Sequence, residues 1–183
     1  MRTLKLQTQV SLDGYMSGPN GEMDWMTFAW DDALKASVAA LTKPVDTILL
    51  GRKLAQGFIP HWAARPADEP AEAIEKMNGS RKVVFSKSLS TSPWANTVIA
   101  KGPLRDEVQA LKAQPGGDLI AYGGGDFVSS LLAEQLVDEV HLFVSPVALG
   151  GGMKVFRGRT AYQLVTATPY PCGVVELHYR PAR

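Results

Sequence analysis

Hydrophobic and polar positions alternate at the start of the chain. Leu4, Leu6, Thr8 and Val10 fall on one side and Lys5, Gln7 and Gln9 on the other. This period of two predicts a strand with one more apolar face. The segment SLDGYMSGPNGEMDW, residues 11–25, breaks the pattern with Gly14, Gly18, Pro19, Asn20 and Gly21, and predicts a mobile loop. Helical spacing follows. Leu34, Val38 and Leu41 supply a buried face, Asp31 or Asp32 can cap the helix, and Pro44 stops it. Thr47 to Leu50 predicts a buried strand ending in Gly51-Arg52-Lys53. The proline- and alanine-rich stretch from Pro60 to Pro70 predicts a surface excursion, and Glu72 to Asn78 a short helix stopped by Gly79.

Val83 to Phe85 predicts another buried strand, ending in Ser86-Lys87-Ser88, and Thr97 to Ala100 a further one. Pro103 suits a helix first turn, and Leu104, Val108 and Leu111 give that helix its face. Leu119 to Tyr122 is an apolar run entering Gly123-Gly124-Gly125. Val128, Leu131, Leu132 and Leu136 then form a helical stripe. Val140 to Ser145 predicts a long strand closed by Pro146. The second triplet, Gly150-Gly151-Gly152, sits between strands and predicts a bend or bulge. Leu164 to Thr168 and Val174 to Tyr179 alternate about a Pro-Tyr-Pro-Cys-Gly turn as an antiparallel hairpin. The expected fold is α/β: a mostly parallel central sheet, helices on both faces, and a C-terminal antiparallel hairpin. No repeat or composition shift divides the chain, so residues 1–183 are expected to form a single domain.

Composition narrows the function classes. The chain has 183 residues, 45% hydrophobic and 20% charged, with a net charge of +1. So small a charge argues against nucleic acid or an anionic membrane as partner. No apolar run is long enough for a membrane span, and no signal-peptide block opens the chain. Cys172 is the only cysteine, which excludes an internal disulfide and suits a reducing cytoplasm. One cysteine and the scattered His61, His141 and His178 predict no protein-built zinc site.

Ligands of open parallel sheets sit at the carboxyl ends of the strands. Four polar or glycine-rich segments fall there: Ser11 to Gly14, Gly51 to Lys53, Ser86 to Ser88 and Gly123 to Gly125. Together they suggest one extended cleft. Three glycines at a strand-to-helix turn remove every Cβ where a ligand could touch main chain. The exposed N–H groups and the helix dipole then favour an anion such as a phosphate; a tight turn needing positive φ is the other reading. Asp13 likewise has two readings, a ligand-facing carboxylate or one half of an Asp-Gly turn.

The segments SLDGYMSGPNGEMDW, ILLGRK, VVFSKSL, YGGGDF and VDEVHLFVSPVALGGGMKVF, in that order, resemble the dihydrofolate reductase-like family. They are most similar to the reductase domain of the bifunctional riboflavin-biosynthesis protein. The resemblance implies an NADPH-dependent reductase of a small heterocyclic or carbonyl/imine substrate, pteridine- or pyrimidine-like. It places the pyrophosphate of NADPH at Gly123, Gly124 and Gly125, with Asp126 and Phe127 opening the helix. Gly51, Arg52 and Lys53 match the family's phosphate-contacting strand end, although Leu54 replaces its usual threonine. Ser86 and Lys87 match the pair that holds the ribose 2′-phosphate. Asp13 falls where substrate and nicotinamide meet, and Asp31 near the carboxylate of the folate enzymes' first helix. Trp25 and Trp30 are candidates to line a flat substrate pocket, and residues 14–25 to close over the nicotinamide. A homodimer is implied, through an exposed sheet edge or the region from Val140 to Phe156. The deaminase half of the riboflavin protein needs His-x-Glu and paired cysteines, which this sequence lacks. The alternatives are a true dihydrofolate reductase, or a non-catalytic nucleotide-binding sensor on the same fold.

Overall fold

In the computed structural model, which describes residues 1–26 and 29–182, the expected strands assemble into one twisted sheet. The first half contains β1 (Leu4–Val10), β2 (Tyr15–Ser17), α1 (Asp32–Thr42), β3 (Val45–Gly51), α2 (Arg52–Ala63), α3 (Ala71–Gly79) and β4 (Arg81–Phe85). It is followed by β5 (Thr97–Ala100), α4 (Leu104–Ala113), β6 (Asp118–Ala121), α5 (Gly125–Ala133) and β7 (Glu139–Val144). The chain closes with β8 (Met153–Lys154), β9 (Tyr162–Pro169) and β10 (Val175–Pro181). The main sheet runs β5-β4-β3-β6-β1-β7-β10-β9. Its first six strands are parallel, and β10 is antiparallel to both β7 and β9.

Both faces are covered, which is why the inner strands read as apolar runs. Leu4, Leu6 and Leu119 pack with Val108 of α4 and Val128 and Leu131 of α5. On the opposite face Ile48, Leu50 and Ile120 meet Ala55 and Ile59 of α2 and Met77 of α3, while Phe143 meets Leu34 of α1. Burying one such aliphatic side chain fully stabilises the fold by about 1.5–3 kcal/mol.

The N-terminal edge of the parallel strands is held by buried cations. Lys5 Nζ lies 2.8 Å from Asp118, and Lys112 Nζ lies 2.6 Å from Asp138 and 2.7 Å from the Leu136 carbonyl. Arg2 pairs with Asp46 and donates to the Gly117 carbonyl at 2.6 Å. Each aspartate stands within one residue of the start of a strand.

Two expectations are corrected. The stretch from Pro60 to Pro70 is not wholly a surface excursion; a helix not expected from the sequence, α2, begins at Arg52 and runs through Pro60 to Ala63. Leu54, Ala55, Phe58, Ile59 and Trp62 form its buried stripe, strong enough to carry a proline whose missing N–H deletes one helical bond. The segment 11–25 is not wholly loop either. Tyr15 to Ser17 pairs antiparallel with β8, and Gly152 makes that approach possible, because a Cβ there would collide with the Ser17 carbonyl.

Candidate active site

The carboxyl ends of β1, β3, β4, β6 and β7 share one edge of the sheet. At its centre α5 starts at Gly125, with Gly124 as N-cap in the left-handed region at φ 85°. No side chain caps this helix. Beside it α2 starts after Gly51, also without a side-chain cap. The two helix starts touch: a Cβ on Gly51 would stand 2.9 Å from Phe127 Cβ. Phe127 in turn packs on Phe85 at the end of β4, ring centroids 4.9 Å apart. Two uncapped N-termini therefore converge, each presenting unpaired N–H groups and the positive end of a dipole. α1 is capped by Asp31, and α3 and α4, which also lack a side-chain cap, follow Pro70 and Pro103 instead of a glycine.

The cations stand around this point. Arg52 is half-buried and donates to Gln56 at 3.3 Å, while Lys53 and Lys87 are exposed. Ser86 Oγ accepts from the N–H groups of Ser88 at 3.2 Å and Leu89 at 3.0 Å, which fixes the turn after β4. Leu54 lies over the glycine turn, 3.7 Å from where a Gly124 Cβ would be. Asp126 is paired with Arg157 at 2.6 Å, so its charge at the start of α5 is compensated.

Asp13 and Asp31 are both engaged with main chain. Asp13 accepts from Ser11 Oγ at 2.6 Å, from Leu149 N at 3.1 Å and from Gly150 N at 2.7 Å. The Ser11 hydroxyl first, then these N–H groups, pull its carboxyl down to about 2. At neutral pH it is an anionic pin between the β1 turn and the loop after β7, with no proton to give. Asp31 accepts from Leu34 N and from Cys172 N, each at 2.8 Å. The Leu34 bond leads in holding its carboxyl below the usual range. It ties α1 to the β9–β10 turn. Both aspartates expected as catalytic groups thus occupy positions that anchor loops.

The pin has a pH signature. A carboxyl depressed from 3.8 to about 2 gives its full contribution above 3.8 and loses it as pH falls through about 2. Asp13→Asn is expected to speed amide exchange at Leu149 and Gly150 at pH 7, by NMR or mass spectrometry. The wild type should approach the variant only near pH 2. Equal exchange in the two proteins at neutral pH would remove the pinning role.

Trp25 is buried. Trp30 lines a crevice of about 10 Å³ with Gln9, Met26, Ser145 and Val174, beside the end of β1. A larger cavity of about 250 Å³ lies away from this edge, lined by Leu132, Arg159 and Tyr162 among others. What sequence reading missed is the part played by the second glycine triplet. Gly150 meets Asp13, Gly152 meets Ser17, and the Met153 side chain fills the space a Cβ on Gly125 would need. The available signal was the repetition of three glycines beyond a strand.

Residues 2–175 match the RibD C-terminal domain family. The uncharacterized protein YyaP of Bacillus subtilis (strain 168) is 30% identical over 184 residues, covering 97% of this chain and 94% of that protein. A putative riboflavin biosynthesis protein from Shewanella sp. PV-4 superposes with a TM-score of 0.78 at 22% identity, covering 99% of both chains. Dihydrofolate reductase from Enterococcus faecalis, complexed with NADP(H), superposes with a TM-score of 0.65 at 13% identity, covering 99% of this chain and 97% of that one. These two superpositions bear out the dihydrofolate reductase-like fold. No helix among the described residues is long and apolar enough to cross a membrane.

Proposed function

Because the chain belongs to the RibD C-terminal domain family, we propose that it is, throughout its length, an NADPH-dependent reductase of a small pyrimidine- or pteridine-like heterocycle. The observation that carries this reading is the meeting of two uncapped, Cβ-free helix starts at Gly51 and Gly124. Two such helix starts together would favour an anion such as a pyrophosphate. Gly123, Gly124, Gly125 and the first turn of α5 to Phe127 would hold it, Gly51, Arg52 and Lys53 would flank it, and Ser86 and Lys87 would take the 2′-phosphate. When bound, the cofactor supplies a hydride to an electrophilic carbon of the substrate. The protein's part is to bind, orient and exclude water.

Asp13 and Asp31 act on this site as positioning residues. Asp13 holds the β1 turn against the Leu149–Gly150 loop, and Asp31 caps α1, just after Trp30. Trp30 would line one side of the substrate's flat ring, with the buried Trp25 packed beneath the loop as its support. The crevice at Trp30 has room for about one water, so substrate entry requires Met26 and Trp30 to part. A homodimer through the exposed edge strand β9, where Leu164 and Val165 face water, completes the proposal and is checked by light scattering. A cytoplasmic enzyme is consistent with the lone cysteine.

The test mixes protein, NADPH and a panel of pyrimidines and pteridines and follows the loss of nicotinamide absorbance. Turnover with one of them is the expected result. Tight NADPH binding without turnover across the panel would replace the enzyme with a nucleotide sensor. No nicotinamide affinity at all would end the reading.

A further inference from the structure

The antiparallel register of β7 and β10 sets His141 opposite His178, and the two rings stack with centroids 4.1 Å apart. Glu139, two residues before His141, shares its face of β7. Glu139 Oε2 lies 3.8 Å from His141 Nε2 and 3.9 Å from His178 Nε2. Two imidazole nitrogens and one carboxylate oxygen thus stand within 4.8 Å of one another. Neither Nε2 has a hydrogen-bond partner among the described residues, and His141 is only 5% exposed. Gln7, the register partner of His141, leaves its buried Oε1 without a donor as well.

The remaining atoms of these groups are committed elsewhere. His141 Nδ1 lies 3.0 Å from Glu176 Oε1, and Glu176 is itself held by Tyr170 at 2.8 Å and Ser37 at 3.0 Å. Glu139 Oε1 accepts from Arg180 at 2.7 and 3.2 Å. With a proton on Nδ1 facing Glu176, His141 turns the lone pair of Nε2 toward Glu139 Oε2. Acceptor then faces acceptor with no donor between them. A single cation satisfies all three atoms. Ligand atoms around tetrahedral Zn²⁺ are about 3.3 Å apart, so each imidazole–carboxylate separation needs to contract by about half an ångström, and the two imidazole nitrogens close in from within 4.8 Å. Glu176 behind His141 is the arrangement that orients metal-binding imidazoles.

We propose that Glu139, His141 and His178 bind a divalent transition-metal ion, with a further coordination position open. Imidazole with a carboxylate selects Zn²⁺ or Fe²⁺ over Mg²⁺ or Ca²⁺. The site is separate from the glycine turn: it lies under α1, on the far side of β1 from β6. The ion would pin β7 to β10, where the parallel part of the sheet meets the antiparallel part.

The test is calorimetric titration of chelator-stripped, untagged protein with Zn²⁺. One equivalent bound at micromolar affinity or tighter is expected. His178→Gln and Glu139→Gln should each weaken it by more than about 100-fold, and Glu176→Gln by about 10–100-fold. His61→Gln, altering an exposed histidine on α2, should bind as wild type, and NADPH affinity should be the same in all of them. Co²⁺ bound to the unaltered protein gives a readout independent of how the variants fold. Intense ligand-field bands of a four- or five-coordinate site are expected. A spectrum no different from Co²⁺ in water, absence of saturable Zn²⁺ uptake, or wild-type affinity in folded His178→Gln would each overturn the proposal.

Discussion

Gly124→Val is expected to abolish NADPH binding while leaving a folded protein. Gly124 is the N-cap of α5 at φ 85°, a conformation that branched side chains strongly resist. Strain of this kind costs about 1–3 kcal/mol, a large but survivable share of a typical domain's stability. The core does not oppose the change, since the nearest atom to the new Cβ is Leu54 Cβ at 3.7 Å. What the added carbons occupy is the space before the first turn of α5, where a phosphate has to approach within hydrogen-bond distance of main-chain N–H. A loss beyond about 100-fold, more than 2.7 kcal/mol, is therefore expected. Gly124→Ala shares the backbone strain but presents one carbon, and should fall between the two. The measurement is calorimetry with NADPH alongside circular dichroism. A folded Gly124→Val protein with undiminished affinity would place the pyrophosphate elsewhere.

The second large effect concerns the choice between NADPH and NADH, which differ by one 2′-phosphate. Ser86 lies at the end of β4, next to exposed Lys87. Lys87→Glu replaces an attractive charge with a repulsive one, and Ser86→Ala removes a hydroxyl donor. The double variant should bind NADPH about 30-fold or more weakly, roughly 2 kcal/mol, with NADH nearly unchanged. The lysine part should shrink as salt rises, because a solvent-facing charge is screened within about 10 Å at 0.1 M. Dissociation constants for both cofactors, at low and high salt, decide it. Equal loss for both would mean that the pair acts on the fold, and Ser86 does organise its turn through Ser88 and Leu89. Loss for neither would move the 2′-phosphate to Arg52 and Lys53.

Much of this architecture is legible in the sequence because its strands are buried on both faces. Ile48 to Leu50, Val83 and Val84, and Leu119 to Ala121 are continuous apolar runs, and each is an inner strand. The cap of α1, narrowed by sequence to Asp31 or Asp32, and the glycine start of α5 are equally readable, since both are local chemistry. The stripe of α2 was obscured by Gly57 and Pro60, which argue against a helix until the packing of Ile59 and Trp62 on the sheet outweighs them. Pairing across the chain left no local trace. Nothing near Asp13 announces Gly150, and nothing near His141 announces His178, because register is a property of two distant segments together. The histidines looked scattered for that reason.

The cations Lys5, Lys112 and Arg2 clamp one edge of the parallel strands, while the other edge is built from glycine turns and main-chain contacts. Such a sheet does not breathe evenly. Small openings need far less free energy than global unfolding, and the edge without buried ion pairs is expected to open first. The clamped edge acts as the spine of a book and the glycine edge as its pages. On the proposed function, a dinucleotide would enter and leave through fluctuations that never reach the hydrophobic core. Such a molecule would separate the cost of admitting a ligand from the stability of its fold.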